Sequence, residues 1–249
     1  MSGHSKWATI KHKKGAADAK RGKLFAKLIR QVEVAARNGG GDPDMNPTLR
    51  TMYQKARDAS VPLDTIERAI KRGTGELEGV SYEEVTYEGY ATGGVALIVE
   101  ALTDNRNRTG SDVRSTFTKQ GGSMAEPGAV AWQFERKGMV LVPSAADEDE
   151  VMMAALDAGA EDLSDGGEFW NITCDPSDTE AVRAALTDAG FDVESSDLTM
   201  VPTSTVPVTA ADEAKPVFRL IDSLEDLDDV QNVYTNADFD DEVLAALED

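Results

Sequence analysis

The spacing of apolar residues changes character once along this chain, and that change limits the folds open to it. From Lys20 to Gly73 apolar side chains recur at three and four residue steps, whereas beyond Thr74–Gly79 alternation and β-branched runs take over. A helical unit therefore comes first and a mixed region of strands and helices follows. Within the first region, Leu24, Phe25, Leu28, Ile29, Val32 and Ala36 predict a helix over 20–37, stopped by three successive glycines at 39–41. Asn46 and Pro47 read as the cap and first turn of a second helix carrying Leu49, Met52, Tyr53 and Ala56. A third starts near Pro62, buries Leu63, Ile66 and Ile70, and ends on Lys71 and Arg72 with Gly73 as a left-handed cap.

Past the break, 84–90 and 94–102 predict a hairpin turned by Thr92-Gly93-Gly94. A helix from about Gly110 to Gln120 and an extended segment over 123–134, containing Trp132, come next. Strand, helix, strand, strand, helix, strand then follow at 138–142, 147–158, 161–164, 169–174, 178–189 and 191–201, the order of a ferredoxin-like unit. Residues 202–209 read as a linker or crossover strand. The last pair, a helix over 215–227 and a strand over 230–235, is too small to bury its own apolar faces and must return to the hairpin. The expected class is α+β: an N-terminal three-helix domain followed by two small α/β domains, one ferredoxin-like and inserted into the other. The expected boundaries are 1–78 for a basic arm plus three helices, 79–137 with 206–240 for a discontinuous domain, 138–205 for the insertion, and 241–249 for an acidic tail.

Charge is sorted along this framework. The chain holds 25 basic and 46 acidic residues, yet ten Lys and Arg face only Asp18 and Glu33 between Lys6 and Arg37. Residues 142–249 hold 3 basic and 29 acidic side chains. Mixed charges would serve solubility equally well, so a basic arm on an acidic body points to a polyanion partner. Lys6, Lys11, His12, Lys13 and Lys14 cluster around Trp7, a pattern suited to phosphate contacts with base stacking. Lys20, Lys23, Lys27, Arg30 and Arg37 fall in one arc of the first helix, opposite its apolar set, and Arg21 adds to that charge. Arg106 and Arg108, on a loop at a helix start, form a second candidate contact; the competing reading pairs them with Asp104 and Asp112. The face offers mostly Lys rather than the Arg, Asn or Gln that read base edges, which favours backbone or shape recognition.

Other chemistry finds no residues to carry it. His4 and His12 are the only histidines and both lie in the arm, Cys174 is the only cysteine, and no phosphate-binding or dinucleotide glycine motif is present. The expectation is a non-enzymatic protein with no catalytic residues, metal or cofactor. Met1–Lys14 lacks the apolar core of a secretory signal, and no run of about 18 apolar residues could span a bilayer, so the chain reads as soluble and cytoplasmic. A monomer is favoured. A scaffold binding another protein through its acidic domains is the alternative to a nucleic-acid partner.

Several long motifs, taken in order, resemble the YebC/PmpR family: GHSKWATIKHKK over 3–14, ERAIKRGTG over 67–75, YEGY over 87–90, GGVALIVEALTDNRNRT over 93–109 and GAVAWQF over 128–134. The resemblance spans essentially the whole chain. It implies a helical domain followed by two α/β domains around a cleft. It also implies one of two functions, a DNA-binding transcriptional regulator or a translation factor acting at the ribosome on ribosomal RNA. Ala91-Thr92 stands where relatives often carry Gly-Pro.

Overall fold

The computed structural model describes residues 18–240 and 243, with side chains from Gly22 onward. The arm and most of the acidic tail lie outside the described residues. The helical unit consists of α1 (Asp18–Gly39), α2 (Pro47–Asp58) and α3 (Leu63–Gly73). Its core gathers Leu28, Val32, Leu49, Ala56, Ile66 and Ala69. Asn46 joins two of these helices, because its carbonyl oxygen accepts from the Leu49 N–H as the cap of α2 while its amide donates to the carbonyls of Ala35 and Gly40 at the end of α1. The chain leaves α1 through Gly40, whose φ of +89° suits a residue without Cβ.

Two details of this unit differ from the sequence expectation. Gly73 is not a left-handed cap but the last helical residue of α3, and a Cβ there would lie 2.4 Å from the Glu33 carbonyl oxygen. It is small because two helices approach closely at that point. Leu63, expected inside, is 45% exposed at the start of α3.

The first sheet has the order β3-β1-β2-β9, all neighbours antiparallel, from β1 (Glu83–Tyr90), β2 (Ala96–Thr103), β3 (Ser123–Ala125) and β9 (Val230–Thr235). Helices α4 (Arg106–Lys119) and α7 (Ala211–Glu225) pack on it, with Phe117, Leu220, Ile221 and Leu224 in the shared core. α4 begins earlier than periodicity suggests, because Asn105 caps it by accepting from the Arg108 N–H, so Arg106 and Arg108 sit in its first turn rather than on a preceding loop. Residues 126–133 are not extended; they form a loop and a short 3₁₀ turn, Ala131–Gln133.

The second sheet has the order β5-β6-β4-β7, from β4 (Phe134–Pro143), β5 (Ala160–Asp165), β6 (Phe169–Cys174) and β7 (Ser195–Pro202), with α5 (Glu148–Leu156) and α6 (Thr179–Asp188) between them. This is the antiparallel ferredoxin-like arrangement, and it lies in sequence between the strands of the first sheet. Two short strands, β8 (Val206–Val208) and β10 (Ala237–Phe239), pair in parallel. A small apolar cluster of Ala96, Ile98, Val130, Phe134 and Tyr234 bridges the two sheets.

Candidate nucleic-acid interface

The polar face of α1 is turned toward the end of α7. Lys27 Nζ donates to the Glu225 carbonyl at 2.8 Å, Lys23 Nζ to the Asp226 carbonyl at 2.9 Å and to its carboxylate at 3.3 Å, and Arg30 Nη1 to the Asp228 carbonyl at 2.6 Å. A helix ends with unsatisfied carbonyls and partial negative charge, and α7 carries no cation in its own last turn. The cations come from α1 instead.

Asp229 is the centre of the contact. Its carboxylate accepts from Arg30 at 3.0 Å, from Arg108 at 2.6 Å, from Thr109 Oγ1 at 2.7 Å and from Thr103 Oγ1 at 3.2 Å, while its side chain is only 10% exposed. Burial alone would push its carboxyl upward, but the hydrogen bonds from Arg108 and Thr109 and the charges of Arg108 and Arg30 hold it below the ordinary range. The hydrogen bonds that Arg108 donates to Asp229 and Asp104, with the charges of those carboxylates, raise the Arg108 pKa further. Arg30 also stacks over Tyr82 at 5.7 Å from the ring centre. A cleft of about 670 Å³ lies between α1, the start of α4 and the turn 226–229.

The sequence-predicted residues thus divide into groups. Lys6, Trp7, Lys11, His12, Lys13 and Lys14 lie outside the described residues, as do the side chains of Lys20 and Arg21, whose backbone is in α1. Lys23, Lys27 and Arg30 come together, on the protein's own oxygens. Arg108 joins them through Asp229 and pairs with Asp104 at 2.8 Å, as the competing reading had it, but with Asp229 rather than Asp112. Arg106 stands apart, exposed and 3.7 Å from Glu83.

Three features were not read from the sequence. Asp229 itself was hidden in an acid-rich stretch; the available signal was Thr103, Arg108 and Thr109, donors that need an acceptor once buried. Glu33 is the second: nearly buried, it accepts from Arg72 at 2.9 Å and Arg37 at 3.4 Å, while Arg37 also donates to the Val80 carbonyl. Arg37 and Arg72 are therefore held by a carboxylate inside the helical unit. The third is the loop over 126–133. The buried Glu88 carboxylate accepts the N–H groups of Gly128, Val130 and Ala131 at 2.6, 2.6 and 2.8 Å, presenting Trp132 at 72% exposure.

Fold and site together define a class of modular α+β protein in which a basic helical unit is held against acidic α/β units by charged and polar contacts. The chain belongs to the TACO1/YebC family: residues 5–76 match the family model described as TACO1/YebC protein N-terminal domain and residues 82–237 that described as TACO1/YebC second and third domain. A protein of Thermobifida fusca named "Probable transcriptional regulatory protein" is 59% identical over 249 residues, covering 99% of this chain and 100% of the relative. One of the same name from Beutenbergia cavernae is 57% identical over 252 residues, with both chains covered in full. The crystal structure of a conserved hypothetical protein, Aq1575 from Aquifex aeolicus, superposes with a TM-score of 0.83 at 48% identity, covering 91% of this chain and 94% of that one.

Proposed function

We propose that this protein is a non-enzymatic, nucleic-acid-binding regulator of gene expression whose arm and α1 contact phosphate. The observation that carries this reading is the segregation of charge, ten cations against two acids between Lys6 and Arg37 on a chain of net charge -21. The relatives named probable transcriptional regulatory proteins support a role in transcription, with DNA as the partner. A second reading, RNA recognition at the ribosome, is favoured by the lysine-rich character of the basic face, which suits backbone and shape rather than base edges. Cross-linking in cells with sequencing of both bound DNA and bound RNA decides between them: enrichment at promoters establishes transcription, enrichment at ribosomal RNA establishes translation. Charge reversal of Lys11, Lys13 and Lys14 to Glu is expected to abolish binding to either and to flatten its salt dependence. Binding that survives this change, and is indifferent to salt, would favour a scaffold that engages protein partners through the acidic units.

A further inference from the structure

The cations of α1 already hold what a phosphate backbone would offer them. Lys23, Lys27 and Arg30 lie at i, i+4 and i+7, one stripe of the helix, and each contacts carbonyl or carboxylate oxygens of residues 225–229. We propose that this acidic turn is an internal polyanion mimic that competes with nucleic acid for α1, so that binding requires the helical unit to undock. The proposal rests on the nucleic-acid reading above and adds its regulation.

Three observations carry it. The first is electrostatic. Asp226, Asp228 and Asp229 surround the docked cations, and a phosphate approaching Lys23 or Arg30 in this arrangement meets their carboxylates. The stripe is therefore closed to a polyanion while it is docked and attractive to one when it is not.

The second concerns what holds the junction. Among the described residues, the apolar clusters that contain α1–α3 side chains contain none from α7, β9 or the second sheet. Contacts that join the helical unit to the rest include those of α1, the Arg30–Tyr82 stack and an ion pair between Lys55 of α2 and Asp197 of β7. Lys23 and Asp226 are 44% and 62% exposed, where water and salt screen an ion pair. Such a junction exchanges oxygen partners without uncovering a core.

The third is the connection. Residues 74–81 are exposed throughout and contain Gly75, at a φ of +82°, and Gly79. This segment links α3 to Tyr82 and β1 and leaves the helical unit tethered when the turn lets go.

A covalent bridge across the junction tests this in the full-length chain. In a Lys23→Cys, Asp226→Cys variant the two thiols are joined by a short bismaleimide, and the bridged protein is compared with the same variant capped by N-ethylmaleimide, Cys174 being fully buried. The probes are an RNA oligonucleotide of about 30 nucleotides and a DNA duplex of similar length, titrated at low salt. The bridged form is expected to bind at least about ten-fold more weakly than the capped form. Equal affinities, with the wild-type chain binding normally, would show a permanent joint and overturn the mimic while leaving the nucleic-acid reading intact. A wild-type chain that binds neither probe would remove that reading and the mimic with it. Spin labels on Asp58→Cys and Glu213→Cys, both at exposed positions, give a second measurement independent of the bridge. Adding the same RNA should lengthen the distance between them, and an unchanged distance in the bound state would also overturn the proposal.

Discussion

Asp229 concentrates more of this molecule's chemistry than any basic residue picked from the sequence. Replacing it by Asn keeps the shape but strands Arg30 and Arg108 beside a neutral amide; because both guanidiniums keep some access to water, the expected loss is about 2–3 kcal/mol rather than the larger cost of a fully buried broken pair. The midpoint of urea unfolding measures it. Asp229 and Glu88 have carboxyls held below their ordinary values, Glu88 because three backbone N–H groups outweigh the upward push of burial. A depressed native pKa contributes stability that is complete above the unfolded value of ~4 and is lost as pH falls below it through the native pKa. Unfolding followed between neutrality and strong acid should show that loss, and Asp229→Asn should reduce it. Glu88→Gln replaces one acceptor oxygen by a donor facing backbone N–H groups. The expectation is about 1–3 kcal/mol of destabilisation and faster hydrogen exchange at Val130 and Ala131, with the rest of β1 unchanged.

Among the elements, the α1–α3 contact depends on the absence of a single carbon. Gly73→Ala places a Cβ within 2.4 Å of a carbonyl that cannot move without α1, so overpacking should cost about 1–3 kcal/mol, read from thermal unfolding. Most helices and strands were legible because their apolar period is carried by residues that do pack: Val32, Leu49, Ile66, Leu97, Ile172 and Leu224 are all buried. What escaped was decided by partners distant in sequence. The role of Gly73 is set by Glu33, forty residues earlier by number. The start of α4 is the local exception, set by the adjacent Asn105 cap, which outweighs a weak apolar pattern. The basic stripe of α1 was legible as a face, but its occupant was not, because nothing local in residues 225–229 points to a helix some 200 residues earlier. β10 was missed for a similar reason, since three residues acquire strand character only through pairing with β8.

Taken whole, the molecule has cores of different reach. Ile66→Ala, in a core confined to α1–α3, is expected to cost about 2–5 kcal/mol and to lower exchange protection in that unit while leaving Ile172 and its neighbours in β6 protected as before. Loss of protection in both would reveal cooperativity that the apolar packing does not provide. The placement of β9 has another consequence, in the order of events during synthesis. Leu97 of β2 pairs with Thr235, and the Ala96 N–H donates to the side-chain oxygen of Asn236, 140 residues downstream. The helical unit and the second sheet are complete when the chain has reached residue 202, but the first sheet still lacks an edge strand and the helix that covers it. For about two to seven seconds at ordinary elongation rates that half-built surface stays open. A chain ended at residue 205 should therefore keep the second sheet folded yet bind the dye ANS, with no such binding expected of the full-length chain. The first sheet to be started is the last to be finished, and the second folds inside its delay.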